Sequence, residues 1–208
     1  MSTSSSSGRG RLFVVSGPSG AGKGTVIREV IRRRPEIVLS VSATTRPARA
    51  GERHGVDYTF VSREEFLTLR DQGEFLESAE VYGHFYGTPR SQVERALAAG
   101  KDMIVEVDIQ GAMAIKRAMP EAILVFVEPP SIDDLLVRLR GRATEDVESM
   151  RRRVEAAYEE IKVKRIYDHI VVNDEIGTAA DALVRILVEN HSSPTASRER
   201  PSDPEQKD

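Results

Sequence analysis

Residues Gly17 to Thr25 read GPSGAGKGT, and the spacing G-x-x-x-x-G-K is that of a phosphate-binding loop. Such a loop lines a concave anion site with backbone N–H groups at a helix N-terminus, where the helix dipole also favours negative charge. Gly17, Gly20 and Gly22 supply the turns and let backbone approach phosphate closely. Lys23 brings a point charge to the terminal phosphates of a nucleoside triphosphate. The next position departs from the usual pattern. It is Gly24, and the hydroxyl arrives one place later, at Thr25. A magnesium ion is therefore expected to rest mostly on phosphate oxygens and water, which this cation readily retains, with Thr25 as a candidate hydroxyl.

A second anion site is suggested by SATTRPARAGERHGVDYTF, Ser42 to Phe60. Arg46 and Arg49 offer bidentate contacts to phosphate oxygens, and Ser42 and Tyr58 add neutral donors. Two arginines in a Pro/Gly-rich loop also suit a plain solvated surface. The phosphate loop upstream favours a clamp, because a kinase with a phosphorylated acceptor must hold two anions. Further on, GEFLESAEVYGHFYGTP places Glu77 among Phe75, Leu76, Tyr82, Phe85 and Tyr86, followed by Thr88. A carboxylate accepts two adjacent N–H donors, which guanine presents at N1 and N2, and a hydroxyl such as Thr88 would suit O6. Adenine lacks that donor pair and would leave a buried carboxylate badly paired.

Two more groups carry charge. Glu106 and Asp108, two apart at the end of an apolar run, are expected to share a face of a strand directed at the loop. They would hold magnesium through water or orient the acceptor, although a salt bridge is as good a reading for Glu106. General-base work is not expected, since a nucleoside monophosphate is already ionised near neutral pH. Arg138, Arg140, Arg142, Arg151, Arg152 and Arg153 fall within sixteen residues. Arginines on a closing segment would neutralise a phosphoryl group in flight and exclude water. His54, His84, His169 and His191 have no metal-ligand spacing.

The elements that must position these residues are legible as apolar runs. Leu12–Ser16, Val38–Val41, Met103–Val107, Ile123–Val127 and His169–Val172 read as strands buried on both faces of a parallel sheet. Helical stripes lie between, among them Ile132, Leu135, Leu136 and Leu139, and Val147, Met150, Val154, Ala157 and Ile161. The order predicts an α/β fold with its site at the carboxyl ends of the strands. Residues 44–92 break the alternation and read as an inserted subdomain with short β pieces such as Asp57–Val61. Residues 1–10 and 191–208 read as disordered tails of serine, proline and charge.

With 208 residues the chain suits one domain, or one domain with insertions. It has no cysteine, so thiolate nucleophiles, thiolate metal sites and disulfides are excluded. The N-terminus lacks the apolar core of a signal peptide, and no run is long enough to span a bilayer. A net charge of −3 gives no reason to expect nucleic-acid binding. The cytoplasm is the expected setting, with no membrane or obligatory protein partner.

Taken together, the phosphate loop, SxxTTRxxRxGExxGxDYxF, EFLE, YGT, VDIQG and RLRGR resemble guanylate kinase, in one colinear order over about residues 10–190. The resemblance implies a three-layer P-loop kinase with a parallel central sheet, an inserted GMP-binding subdomain at about 42–92 and a helical lid at about 138–153. It implies phosphorylation of GMP, and usually dGMP, by ATP with magnesium. ATP would be held by Gly17, Pro18, Ser19, Gly20, Ala21, Gly22, Lys23, Gly24 and Thr25, with Arg138 and, near the adenine, Asn173. GMP would be held by Ser42, Arg46, Arg49, Tyr58 and Tyr86 at its phosphate, by Glu77 and Thr88 at its base, and by Asp108. Lys23, Arg46, Arg142 and Arg153 would act on the transferred group. Arg140, Arg151 and Arg152 read as a solvated face, and Ala143 stands where the family often has glycine. Two rivals remain on the sequence. One is a related kinase for another phosphorylated acceptor, such as a sugar phosphate, against which Glu77 and Thr88 argue. The other is a non-catalytic guanylate-kinase-like interaction module, against which Lys23 and the arginines argue.

Overall fold

Five apolar runs build one parallel sheet in the computed structural model, which describes residues 8–81, 83–140 and 162–189. In chain order they are β1 (Leu12–Ser16), β2 (Val38–Leu39), β7 (Met103–Glu106), β8 (Ile123–Glu128) and β9 (His169–Val172). They lie side by side as β2-β7-β1-β8-β9. β1 is central, with Leu12 opposite Met103 and Phe13 opposite Ile123. The chain leaves β1 toward one edge and later returns to fill the other side. That reversal opens a crevice at the carboxyl end of β1, where ligands of open α/β sheets bind.

Alternation along β1 sets the layers. Phe13 and Val15 pack with Val26, Ile27 and Val30 of α1 (Lys23–Arg33) and Leu183 and Leu187 of α6 (Ile176–Glu189). Leu12 and Val14 face the opposite way, onto Val93 and Leu97 of α3 (Arg90–Ala98) and Ile115 of α4 (Ile109–Ala118). Each fully buried side chain of this size contributes about 1.5–3 kcal/mol, so these two clusters anchor the sheet against sizeable displacement. α5 (Ile132–Arg140) follows β8. No helix among the described residues is long and apolar enough to cross a membrane.

A second sheet, ordered β4-β3-β6-β5, is made from β3 (Ala43–Thr44), β4 (Thr59–Phe60), β5 (Phe75–Val81) and β6 (His84–Pro89). It has its own small core under α2 (Arg63–Asp71). The Phe66 ring stacks on Phe75 at 4.5 Å and on Phe85 at 5.4 Å. Gly87 lies beneath, and a Cβ there would sit 2.9 Å from the Phe75 ring. The paired threonines of the TTR motif pin β3 to β6. Thr44 Oγ1 donates to the Phe85 carbonyl at 2.9 Å, and Thr45 Oγ1 accepts from Phe85 N–H at 2.9 Å.

Some boundaries differ from the sequence expectation. β2 is shorter than Val38–Val41, because Gln92 draws the chain off the sheet, accepting from Ser40 Oγ and Val41 N–H at 3.0 Å each. Of the stretch 57–61, only Thr59–Phe60 pairs as strand. Gly10, expected in the N-terminal tail, donates its N–H to the Leu97 carbonyl at 2.8 Å. Tyr82, the helical stripe from Val147 to Ile161 and the segments 1–7 and 190–208 lie outside the described residues.

Candidate active site

α1 begins without the side-chain cap that α2 and α4 receive. Ser62 Oγ accepts from Glu65 N–H at the start of α2, and Asp108 accepts from Gly111 N–H at the start of α4. The N-cap of α1 is Gly22, at φ 83°, with no side-chain hydrogen bond and no acidic residue in the first turn. Its leading N–H groups and the positive end of its dipole are left for an anion. Gly17 has φ 144°, and a side chain there would strike the Val127 carbonyl oxygen. The loop is thus wedged between β8 and α1. Lys23 folds back over it, with Nζ donating to the carbonyls of Gly17 at 2.6 Å and Pro18 at 3.1 Å.

This loop forms one end of a cleft of about 630 Å³. Gly17, Ser19 and Lys23 line that end, and Ser42, Tyr58, Glu77, Tyr86, Glu106 and Asp108 line the rest. The Glu77 carboxylate accepts from the fully buried Thr88 hydroxyl at 2.6 Å. Burial lifts its pKa above the ordinary carboxylate value; the Thr88 bond draws it back, and the nearby Asp108 raises it again. The Thr88 hydroxyl, expected to meet a base oxygen, is here bonded to Glu77. Its proton is committed to Glu77.

Asp108 reaches the cleft by a different route from the one its spacing implied. β7 stops at Glu106, and Asp108 is the N-cap of α4, with Oδ1 2.7 Å from Gly111 N. Helix capping, not strand alternation, sets its direction. A Cβ on Gly111 would lie 3.0 Å from Val107 Cβ, 3.2 Å from Glu77 Oε2 and 3.3 Å from Asp108 Oδ1, so a side chain there would press on both carboxylates. Glu106 opens onto the cleft near the loop. Protein atoms crowd it enough for desolvation to raise its pKa, while Lys23 and then Arg28 favour its charged form.

Arg46 is aimed by a residue to which sequence reasoning gave no role. Glu52 accepts from Arg46 Nη2 at 2.8 Å and from the Arg49 backbone N–H at 2.7 Å. The Glu52 bond holds the guanidinium firmly protonated. Its signal was the E of RxGE, three residues after Arg49. Arg46 also lies over the Tyr58 ring at 5.3 Å, and Tyr58 meets Tyr86 edge-on at 6.1 Å. Burial first, then the charges of Tyr86 and Glu106, raise the Tyr58 pKa, so its hydroxyl stays a donor. The Arg49 residue itself is exposed.

Thr25 does not line the cleft; its Oγ1 accepts from Arg28 Nη2 at 3.1 Å. At Gly24, a Cβ would come 3.2 Å from Glu106 Oε2. No group of three or more histidine, aspartate or glutamate side chains among the described residues is arranged to hold a metal. This donor set would suit a hydrated magnesium ion carried on nucleotide phosphates, with Glu106 as the carboxylate beside the loop. Arg138 donates to the Asn173 carbonyl at 3.0 Å, and Asn173 Nδ2 donates to the Ala21 carbonyl at 2.7 Å. Asn173 therefore adjoins the phosphate loop, and Arg138 adjoins Asn173. Arg142 and Arg153 lie outside the described residues.

Comparison with known proteins agrees with this geometry. The guanylate kinase family model matches residues 9–190. The guanylate kinase of Desulfitobacterium hafniense is 49% identical over 179 residues, covering 86% of this chain and 90% of that protein. That of Nocardia farcinica is 48% identical over 186 residues, covering 88% and 96%. The crystal structure of guanylate kinase from Anaplasma phagocytophilum superposes with a TM-score of 0.72 at 36% identity, over 89% of this chain and 88% of that one. A phosphate loop facing a carboxylate-and-tyrosine wall across one cleft, in a chain matched along nearly its whole length, places this protein in the guanylate kinase family.

Proposed function

We propose that the protein transfers the γ-phosphoryl group of ATP to GMP, and also to dGMP. One observation carries the reading: Lys23 and Glu77 line the same cleft, which would let a triphosphate and a guanine base face each other. An oxygen of the GMP phosphate bonds to the γ-phosphorus as the bond to the β,γ-bridging oxygen breaks. The attacking oxygen is already ionised, so no base is needed. Phosphoryl transfer of this kind is mostly positioning and charge neutralisation.

Residues take their roles accordingly. Gly17 to Thr25 cradle the ATP phosphates, and Lys23 leaves the carbonyls it now touches to meet the incoming charge. Ser42, Arg46, Arg49, Tyr58 and Tyr86 hold the GMP phosphate, with Glu52 aiming Arg46. Glu77 accepts the N1 and N2 protons of guanine, Thr88 fixes its carboxylate plane, and Asp108 borders the same pocket. Magnesium, when bound, would neutralise phosphate charge, and Glu106 would accept from its water. Arg138 sits at the base of the lid segment, and Arg142 and Arg153 within it neutralise the group in transit. The setting we propose is the cytoplasm, with small nucleotides as the partners.

The test is ADP release from Mg-ATP with GMP, dGMP, AMP, CMP, UMP or no acceptor. ADP formed with GMP and dGMP alone supports the assignment. No release with any nucleotide, despite measurable ATP binding, moves it to another phosphorylated acceptor or to a binding module.

A further inference from the structure

Asn173 follows β9 and is 4% exposed, the one buried amide side chain among the described residues. Its backbone is locked first. The N–H donates to the Glu128 carbonyl at 2.7 Å, carrying the β8–β9 ladder one residue past the sheet. Its carbonyl accepts from Arg138. The side chain then reaches across 152 positions of sequence to the Ala21 carbonyl, at 2.7 Å from Nδ2. Only the nitrogen can face a carbonyl oxygen, so the amide's orientation is fixed, and Oδ1 is left buried without a partner among the described residues. A Cβ on Gly22 would collide with that same Nδ2, so the fit needs glycine there.

A trans peptide holds its C=O and the following N–H antiparallel. Tying the Ala21 oxygen to Asn173 therefore turns the Gly22 N–H away from β9. We propose that Asn173 is a positioning residue that holds the Ala21–Gly22 peptide with its N–H directed into the phosphate-binding loop. This rests on the phosphate-binding role given to the loop above. It differs from a contact to the adenine base, because it acts through the loop and serves any triphosphate. An apolar side chain of similar volume would avoid the unpaired Oδ1, which is destabilising when buried, but would leave the Ala21 carbonyl unheld.

The experiment measures binding of ATP, inorganic tripolyphosphate and GMP to the full chain and to its Asn173→Ala variant by calorimetry. Losing one such hydrogen bond is expected to weaken ATP and tripolyphosphate alike, by about tenfold. GMP affinity is expected to stay within about twofold, which also reports an intact fold. Weakened ATP binding with unchanged tripolyphosphate binding would overturn the proposal in favour of a base contact. Equal loss for GMP would overturn it in favour of general damage, and no loss for either phosphate ligand would overturn it outright. Should the variant fail to fold, the unmodified protein still decides. The Gly22 amide resonance should shift on adding tripolyphosphate whether or not GMP is bound, and a resonance that does not move refutes the proposed direction of that N–H.

Discussion

Replacing Glu77 by glutamine keeps the shape of the side chain and exchanges one oxygen for an amine. Thr88 already donates to one carboxylate oxygen at 2.6 Å, so the glutamine carbonyl is expected to stay there. The new NH2 then faces guanine with a donor against a donor. One charge-assisted hydrogen bond is lost, at about 1.5–3 kcal/mol, and an unpaired buried donor adds about 1–3 kcal/mol. The centre of that range, about 3–5 kcal/mol, converts to a fall of roughly 150- to 5,000-fold in kcat/KM for GMP. AMP gains nothing from the carboxylate, so its slow turnover should change little. IMP, which lacks the N2 amine, should fall by less than GMP. The assay is initial-rate ADP formation at saturating ATP with each monophosphate in turn. If Glu77→Gln keeps the GMP-to-AMP ratio within about threefold of the parent, Glu77 does not read the base and the reasoning from its burial fails.

The same carboxylate should weaken the ligand-free fold. Its folded pKa lies above 4.5 because of burial, so its stabilising contribution is present below that value and lost as pH rises through the folded pKa. Ligand-free Glu77→Gln should accordingly melt higher than the parent at neutral pH, with the gap closing toward pH 4.5; a constant gap would refute the linkage. Lys23→Ala should lower kcat by about 10²–10³ with GMP affinity unchanged, measured by turnover and calorimetry in parallel. Asp102→Ala should cost about 2–3 kcal/mol in urea unfolding. It strands Arg11, whose Nε now donates to Asp102 at 3.2 Å and whose Nη2 also holds the Leu187 carbonyl at 2.7 Å. Gly24→Ser should restore a hydroxyl yet press on Glu106, whose Oε2 is 3.2 Å from the added Cβ; weaker Mg-ATP binding, by about two- to fivefold, is the expected sign.

Residues whose role follows from local chain geometry were legible in advance. The phosphate loop could be read because its glycines, lysine and flanking apolar runs all sit within a few positions of one another. β1, spanning Leu12–Ser16, and β9, spanning His169–Val172, carry boundaries that apolar runs define without help. What was hidden depends on contacts between distant segments. Glu52 is one acid among many until Arg46 is seen bonded to it. The Thr88 hydroxyl had no visible reason to serve Glu77, because the two meet only when β5 and β6 pair. Asp108 was assigned a strand face, since sequence spacing cannot reveal that the strand stops two residues earlier and a helix begins. Asn173 comes from resemblance alone, and its bond to Ala21 spans 152 positions of sequence.

Strand β5 serves as a wall shared by two cores. Phe75 points into the small aromatic core and Leu76 into the main one, so consecutive residues report to different bodies of the protein. Glu77 comes next. The amides of β5 should thus exchange with deuterium at rates set by the large sheet, even when β3 and β4, held by two residues each, open freely. A protein built this way can loosen the rim of the proposed acceptor pocket, admit a nucleotide and tighten again, while Glu77, the carboxylate proposed to read the base, keeps its bearing throughout.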